Sequence, residues 1–160
     1  WALMQKPSEA GSQKAQTTVT DLRRVNRALR MLCDANQALI RSTEETTALR
    51  EICRIAVEIG GYRMAWVGFA EQDAAKTVRP VAWAGMEAGY IEEMGITWAD
   101  EPHGRGPSGT AIRTGQPCIA TDIPNHPASA PWQEAAQKRG YCSSIALPLR
   151  NGGHCFHGQR

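Results

Sequence analysis

The apolar positions of this chain fall into blocks whose spacing alternates between helical and extended. From Thr20 onward, Leu22, Val25, Leu29, Leu32, Asn36 and Leu39 follow one another at steps of three and four. That spacing predicts a helix with a heptad seam in which Asn36 takes one seam position. Arg23, Arg24, Arg27 and Arg30 occupy the outer faces. Two packings are open to such a helix: against its own domain, or along a parallel copy as a coiled-coil dimer segment over residues 20–41. Ser42-Thr43-Glu44-Glu45 predicts a break and a new start, because Ser42 and Glu45 have capping-box spacing. The next helix gathers Leu49, Ile52, Cys53, Ala56 and Val57 on one face and stops at Gly60-Gly61. Cys53 reads there as a small core residue, not as a nucleophile.

The pattern then turns extended. Tyr62 to Ala70 is apolar on both faces, which predicts a central strand covered on both sides. Thr77 to Ala84 predicts a second strand, and Pro80 places it at an edge because proline cannot donate to a ladder. The short polar stretch Glu71 to Lys76 joins the two as an antiparallel hairpin. Further on, short helices are predicted at Gly85 to Gly95, Pro107 to Thr114 and Pro131 to Arg139. Strands are predicted at Pro117 to Ile123 and Tyr141 to Leu149. Pro107 at a helix start and Gly115 past its end are the usual punctuation. Helices, a hairpin and then mixed elements make an α+β order.

The two ends differ from this body. Residues 1–17 are polar, with Pro7 and Gly11, and read as a linker. After Arg150, Asn151-Gly152-Gly153 predicts a turn, but His154 to Arg160 has neither strand nor helix periodicity. The expected organisation is therefore a linker over 1–19, one domain over 20–150 and an irregular tail over 151–160.

Composition narrows the class. With 160 residues, 42% of them apolar and 21% charged, one globular domain with a sizeable core is expected. A net charge of +2 does not point to nucleic acid or an anionic membrane as partner. No apolar run approaches the ~20 residues a membrane span needs. The first residues do not read as a signal peptide. Five irregularly spaced cysteines then suggest reduced thiols and a cytoplasmic setting. A start without methionine leads to the expectation of a piece of a longer protein.

Three runs carry a resemblance. They are Gly61-Tyr62-Arg63-Met64-Ala65-Trp66-Val67-Gly68; Trp98-Ala99-Asp100 with Gly104-Arg105-Gly106-Pro107-Ser108-Gly109-Thr110-Ala111-Ile112-Arg113-Thr114-Gly115; and Ser143-Ser144-Ile145-Ala146-Leu147-Pro148-Leu149. In that order, over about residues 25 to 150, the chain resembles the GAF domains of bacterial sensor proteins. Such domains often stand upstream of histidine kinase or diguanylate cyclase modules. The resemblance implies an antiparallel sheet with helices on both faces, a small-molecule pocket, and a homodimer through the long helices. It also implies a further strand and a long C-terminal helix, and both are expected to be missing here.

The candidate chemistry lies in the glycine-rich run. Gly104-x-Gly106-x-x-Gly109 matches the dinucleotide fingerprint in letters, but a loop, not a buried strand, precedes it. Arg105 and the N–H groups of Ser108, Gly109 and Thr110 are candidates to face an anion at a helix N-terminus. The alternative is a loop packed tightly by glycine. Trp66, Trp83 and Trp98 are candidates to stack on a planar ligand, with core packing as the alternative. The ligand-contact candidates are thus Trp98, Arg105, Ser108, Thr110, Trp66 and Trp83.

The resemblance also weighs against particular ligands. The cyclic-nucleotide residue set of phosphodiesterase GAF domains is absent, and Pro131-Trp132-Gln133-Glu134 offers no cysteine for a bilin. One enzyme family shares the fold, the free methionine-R-sulfoxide reductases, which need two neighbouring thiols. Cys118 and Cys142 are placed as neighbours across the sheet, though away from that family's loop cysteines. Cys142, His154, Cys155 and His157 are spaced too irregularly to suggest a metal. The expectation is a non-catalytic sensory domain that binds an unidentified small molecule and relays the signal to an output domain. Its cofactor is unknown. The alternative is a ligand-free dimerisation and relay module.

Overall fold

A computed structural model describes residues 9–86, 89–125, 127–149 and 154–159. Five strands form one antiparallel sheet: β1 (Met64–Ala70), β2 (Val78–Gly85), β3 (Cys118–Ala120), β4 (Ser144–Leu149) and β5 (His154–Gln159). Their spatial order is β2-β1-β5-β4-β3. Helices α1 (Glu9–Arg41) and α2 (Glu45–Glu58) precede the sheet. Helices α3 (Tyr90–Met94), α4 (Pro107–Thr114) and α5 (Gln133–Lys138) fall between its strands. The α+β class with an antiparallel sheet flanked by helices is as expected from the sequence.

β1 is the expected central strand, and residues Met64 to Val67 are completely buried. On one face α2 packs Leu49, Cys53 and Ala56 against Ala65, Val67 and Ala82. On the other, Met64 and Trp66 meet Tyr90, Ile91, Met94, Trp132 and Tyr141. β2 is an edge strand, as Pro80 requires. Pro80 faces Gly68 at a register shift, where the β1–β2 pairing skips Val81. Asp73 closes the hairpin turn by accepting from the Thr77 N–H at 2.8 Å and its hydroxyl at 2.7 Å.

The expected loss of the last strand and the irregular tail over 151–160 are both corrected by β5. It pairs with β1 from Met64↔Gln159 to Phe69↔His154, and with β4 from Ser144↔Gln159 to Leu149↔His154. It therefore lies in the middle of the sheet. Apolar periodicity is absent because this strand turns His157 and Gln159 into a polar site. Its intervening residue is Gly158, where a Cβ would stand 2.9 Å from the Tyr62 ring. Glycine lets the aromatic layer close down on the strand.

The expected linker over 1–19 is also corrected in part, because α1 runs from Glu9. Glu, Ala, Gln and Lys dominate residues 9–16, and these are good helix formers without an apolar face of their own. Thr17 and Thr20 donate their hydroxyls to the Gln13 and Gln16 carbonyls, four residues back. Residues 1–8 lie outside the described residues. The α2 N-cap is Glu44, not Ser42, and makes no side-chain capping bond. Leu22, Val25, Leu29, Leu32 and Leu39 of the seam are each more than half exposed. No helix among the described residues is long and apolar enough to cross a membrane.

The position of β5 sets a stability prediction. Removing residues 150–160 leaves the facing edges of β1 and β4 without a ladder. Each net backbone hydrogen bond is worth about 1 kcal/mol and a domain's whole stability is about 5–15 kcal/mol. Circular dichroism of the shortened chain is expected to show no cooperative melt, whereas the 160-residue chain melts in one transition.

Candidate functional site

The site is built where α4 begins. Pro107 starts the helix and Gly106 is its N-cap. The first turn of any helix leaves N–H groups without intrahelical acceptors, and here that turn, with Ser108 and Gly109, borders a pocket. The three glycines of the fingerprint serve close approach. A Cβ on Gly104 would stand 1.9 Å from the Ala99 carbonyl oxygen, one on Gly106 2.4 Å from the Trp132 ring, and one on Gly109 2.1 Å from the Gly104 oxygen. Arg113, near the end of α4, fastens the same loop. Its Nη1 donates to the carbonyls of Trp98, Ala99 and Gly104 at 3.1, 2.9 and 2.6 Å.

The floor comes from β4 and β5. The buried polar side chains among the described residues are Ser108, Ser144, His157 and Gln159, and all of them line this pocket. His157 Nδ1 lies 2.7 Å from Ser108 Oγ. Gln159 Nε2 lies 3.3 Å from His157 Nε2 and donates to the Tyr90 hydroxyl, also at 3.3 Å. An amide nitrogen only donates, so His157 Nε2 accepts and its proton sits on Nδ1, which donates to Ser108 Oγ. That frees the Ser108 hydroxyl proton for the pocket. Burial pushes the His157 pKa down to about 4, so the imidazole is neutral at physiological pH. Trp66 stacks under it with ring centroids 5.6 Å apart.

Apolar walls complete the enclosure. Met94, Ile96, Ile123 and Trp132 surround a cavity of about 30 Å³, room for roughly two or three waters. Trp132 is held by its indole N–H, which donates to the Met94 carbonyl at 2.9 Å. His103 meets it edge-on at 6.1 Å. Gln159 Oε1 is buried and has no partner among the described residues. The arrangement can bind and orient a small polar molecule away from water.

Of the residues singled out from sequence, Ser108 lines the pocket. Trp66 lies fully buried beneath it, under His157. Thr110 donates its hydroxyl to the Arg105 carbonyl at 3.2 Å. Arg105 points to solvent and pairs with Asp100 at 2.9 Å, which holds the Asp100 carboxyl below its usual range. Trp98 donates its indole N–H to the Glu71 carbonyl at 2.8 Å, with Lys76 over its ring, outside the pocket. Trp83 is half exposed on β2. Sequence reasoning missed His157, Gln159, Ser144, Tyr90 and Trp132. The signal for the first two was there: two polar side chains two residues apart after a Gly-Gly turn have strand spacing.

The cysteines are dispersed. Cys118 pairs opposite Ala146, whereas the carbonyl of Cys142 accepts from the Ile123 N–H beyond the end of β3. The expected Cys118–Cys142 neighbourhood is therefore corrected. Cys53 sits on the α2 face, where burial pushes its thiol up to about 12. No cysteine with a described side chain lines the pocket.

A family model described as GAF domain matches residues 42–155. The chain belongs to the GAF domain family. Solved structures agree on the fold. The A. aeolicus nlh2 GAF domain in an inactive state is 14% identical with a TM-score of 0.63, covering 88% of this chain and 80% of that one. The GAF domain of a phosphoenolpyruvate-protein phosphotransferase from Coxiella burnetii is 17% identical with a TM-score of 0.64, covering 86% and 79%. The free methionine-R-sulfoxide reductase of Neisseria meningitidis, in complex with its substrate, is 16% identical with a TM-score of 0.60, covering 78% and 68%. At these identities the likeness is one of fold. No curated protein matches the chain significantly.

The neutral His157 carries a pH prediction. Its pKa falls from 6.5 to about 4 on folding, so the unfolded chain binds the extra proton in between. The contribution is present above pH ~6.5 and declines by about 1.4 kcal/mol per pH unit down to pH ~4, about 3 kcal/mol in all. Melting curves over that window are expected to show this slope, and H157Q to flatten it. Nitrogen-15 spectra are expected to show the proton on Nδ1 throughout physiological pH.

Proposed function

We propose that this GAF domain is a sensory module that binds a small molecule in the pocket over β5 and relays its occupancy to an output domain. The observation that carries this reading is the convergence of the buried polar side chains among the described residues on one cavity. The site residues are Ser108, Ser144, His157 and Gln159, with Tyr90 holding Gln159. Ligand binding favours one packing of the pocket elements over another, and that differential affinity is the signal. The reading is non-catalytic: among the described side chains no thiol lines the pocket, and burial holds the His157 imidazole neutral and weakly basic.

The proposal extends to the setting. The module belongs to a bacterial signalling protein of the histidine kinase or diguanylate cyclase type, in the cytoplasm, with neither nucleic acid nor membrane insertion involved. It acts as a homodimer through α1. In support, the seam Leu22, Val25, Leu29, Leu32 and Leu39 is exposed, and so is Asn36. An asparagine at a seam position fixes register in parallel dimers. The same exposed seam favours the second reading, a dimeric relay with no ligand.

Two measurements separate them. A fitting ligand at a hundred times its dissociation constant stabilises by about 2.7 kcal/mol, a rise of roughly 5–10 °C in melting temperature. Small polar metabolites are expected to give such a rise, and nucleotides and haem to give none, because the cavity is too small for them. A panel flat for every compound supports the ligand-free relay. Sedimentation is expected to show a dimer that L29D converts to a folded monomer. A variant that stays dimeric removes α1 as the interface.

A further inference from the structure

We propose that α3 and Trp132 form one hinged cover over the pocket, latched where the Trp132 indole N–H meets the Met94 carbonyl, and that this cover opens to admit the ligand and closes over it. This rests on the pocket being the domain's binding site.

The cavity needs a wall that moves. His103 is the exposed residue of its lining, and the others are buried or half-buried. The floor is fixed, because β4 and β5 pair from Ser144↔Gln159 to Leu149↔His154. The α4 side is fixed as well, because Arg113 ties down the carbonyls of Trp98, Ala99 and Gly104. α3 is different. It is five residues long and has glycine at both caps, Gly89 at φ 77° and Gly95 at φ 49°, with no side-chain capping bond. A Cβ on either glycine would meet nothing within 4 Å. Close packing therefore does not explain them. What glycine supplies here is the left-handed turn and the freedom to leave it. A short element between two such points can pivot as a unit.

The latch joins α3 to the mouth of the pocket. Trp132 ends a short stretch of 3-10 helix (Pro127–Trp132), and its indole N–H donates to the Met94 carbonyl at 2.9 Å. Met94 is the last residue of α3, so the bond satisfies one of the carbonyls that a helix end leaves free. The indole ring lies on Gly106, where a Cβ would stand 2.4 Å from it, and meets the exposed His103 edge-on at 6.1 Å. One side chain thus touches the pivoting helix, the N-cap of α4 and the mouth. Two contacts at the other end of α3 also hold the cover down. Gln159 Nε2 donates to the Tyr90 hydroxyl at 3.3 Å, and Arg139 pairs with Glu93 at 3.3 Å with its guanidinium over the Tyr90 ring. Opening gives up these bonds and the apolar contacts of Tyr90, Ile91, Met94 and Trp132, but leaves every strand pairing intact. Its cost is that of a local opening and lies below that of global unfolding.

Hydrogen exchange of the nitrogen-15 labelled 160-residue chain tests the cover without a ligand. The Trp132 indole N–H and the Glu93 amide, which donates to the Gly89 carbonyl at 3.1 Å, are expected to open together. Relative to its intrinsic rate, each is expected to exchange at least about tenfold faster than the amides of Met64 to Val67. Exchange of the Trp132 indole N–H only at the β1 rate overturns the cover. A thiol reporter then tests whether the opening admits a molecule. S144C places a thiol on a pocket residue that is 5% exposed, and the native Cys53, fully buried on the α2 face, is the internal control. Methyl methanethiosulfonate, followed site by site with mass spectrometry, is expected to label position 144 at least about tenfold faster than Cys53. Adding W132F keeps a ring on Gly106 and removes the latch bond. It is expected to speed labelling at position 144 about fivefold, the worth of one hydrogen bond. Labelling at 144 no faster than at Cys53, or unchanged by W132F, overturns the cover. Either result leaves the pocket as the ligand site, which the thermal panel tests by itself. If S144C fails to fold, the wild-type exchange rates decide.

Discussion

The hydrogen-bond ladder that seats β5 between β1 and β4 holds this molecule together. Without it the sheet is two separate pairs, the β1–β2 hairpin and the β3–β4 pair. With it, every described strand shares one ladder and the two helical layers have a common floor. Gly158 permits the close packing of Tyr62 on one side, and its neighbours His157 and Gln159 supply the polar floor on the other. The strand that unites the sheet is also the strand that floors the pocket. Anything that shifts His157 or Gln159 acts directly on the middle of the sheet.

The two faces of that sheet solve different problems. The α2 face is closed by apolar contact, with Cys53 among the smallest groups that fill it. The α4 face keeps polar groups out of water, which is unfavourable unless they are paired. His157 is kept neutral and has both ring nitrogens engaged, so its burial is tolerated. Gln159 Oε1 and the Trp66 indole N–H are buried without a partner among the described residues, and each such group costs about 1–3 kcal/mol.

Much of the frame was legible because it rests on local signals. β1 reads as central from apolar residues on both faces, β2 as an edge from Pro80, and α4 from Pro107 and Gly115 at its ends. The site was legible only in part. Ser108 could be placed at a helix N-terminus, but Arg113 pulls the loop from Trp98 to Gly104 inward, and Arg105 is left facing solvent beside Asp100. β5 was not legible as a strand because the apolar alternation that marks strands is replaced by function and close packing. His157 and Gln159 are polar for the pocket, and Gly158 is small for Tyr62. The start of α1 was misread for a related reason: residues 9–19 form helix through propensity, with no apolar face to announce it.

Hydrogen exchange of the β5 backbone tests the central placement most directly. A strand paired on both sides opens only when the sheet opens, so amides within residues 154–159 are predicted to exchange at the slow, global-unfolding rate of β1. Exchange of that segment as fast as the solvent-exposed turns would contradict a central β5 and the pocket built on it.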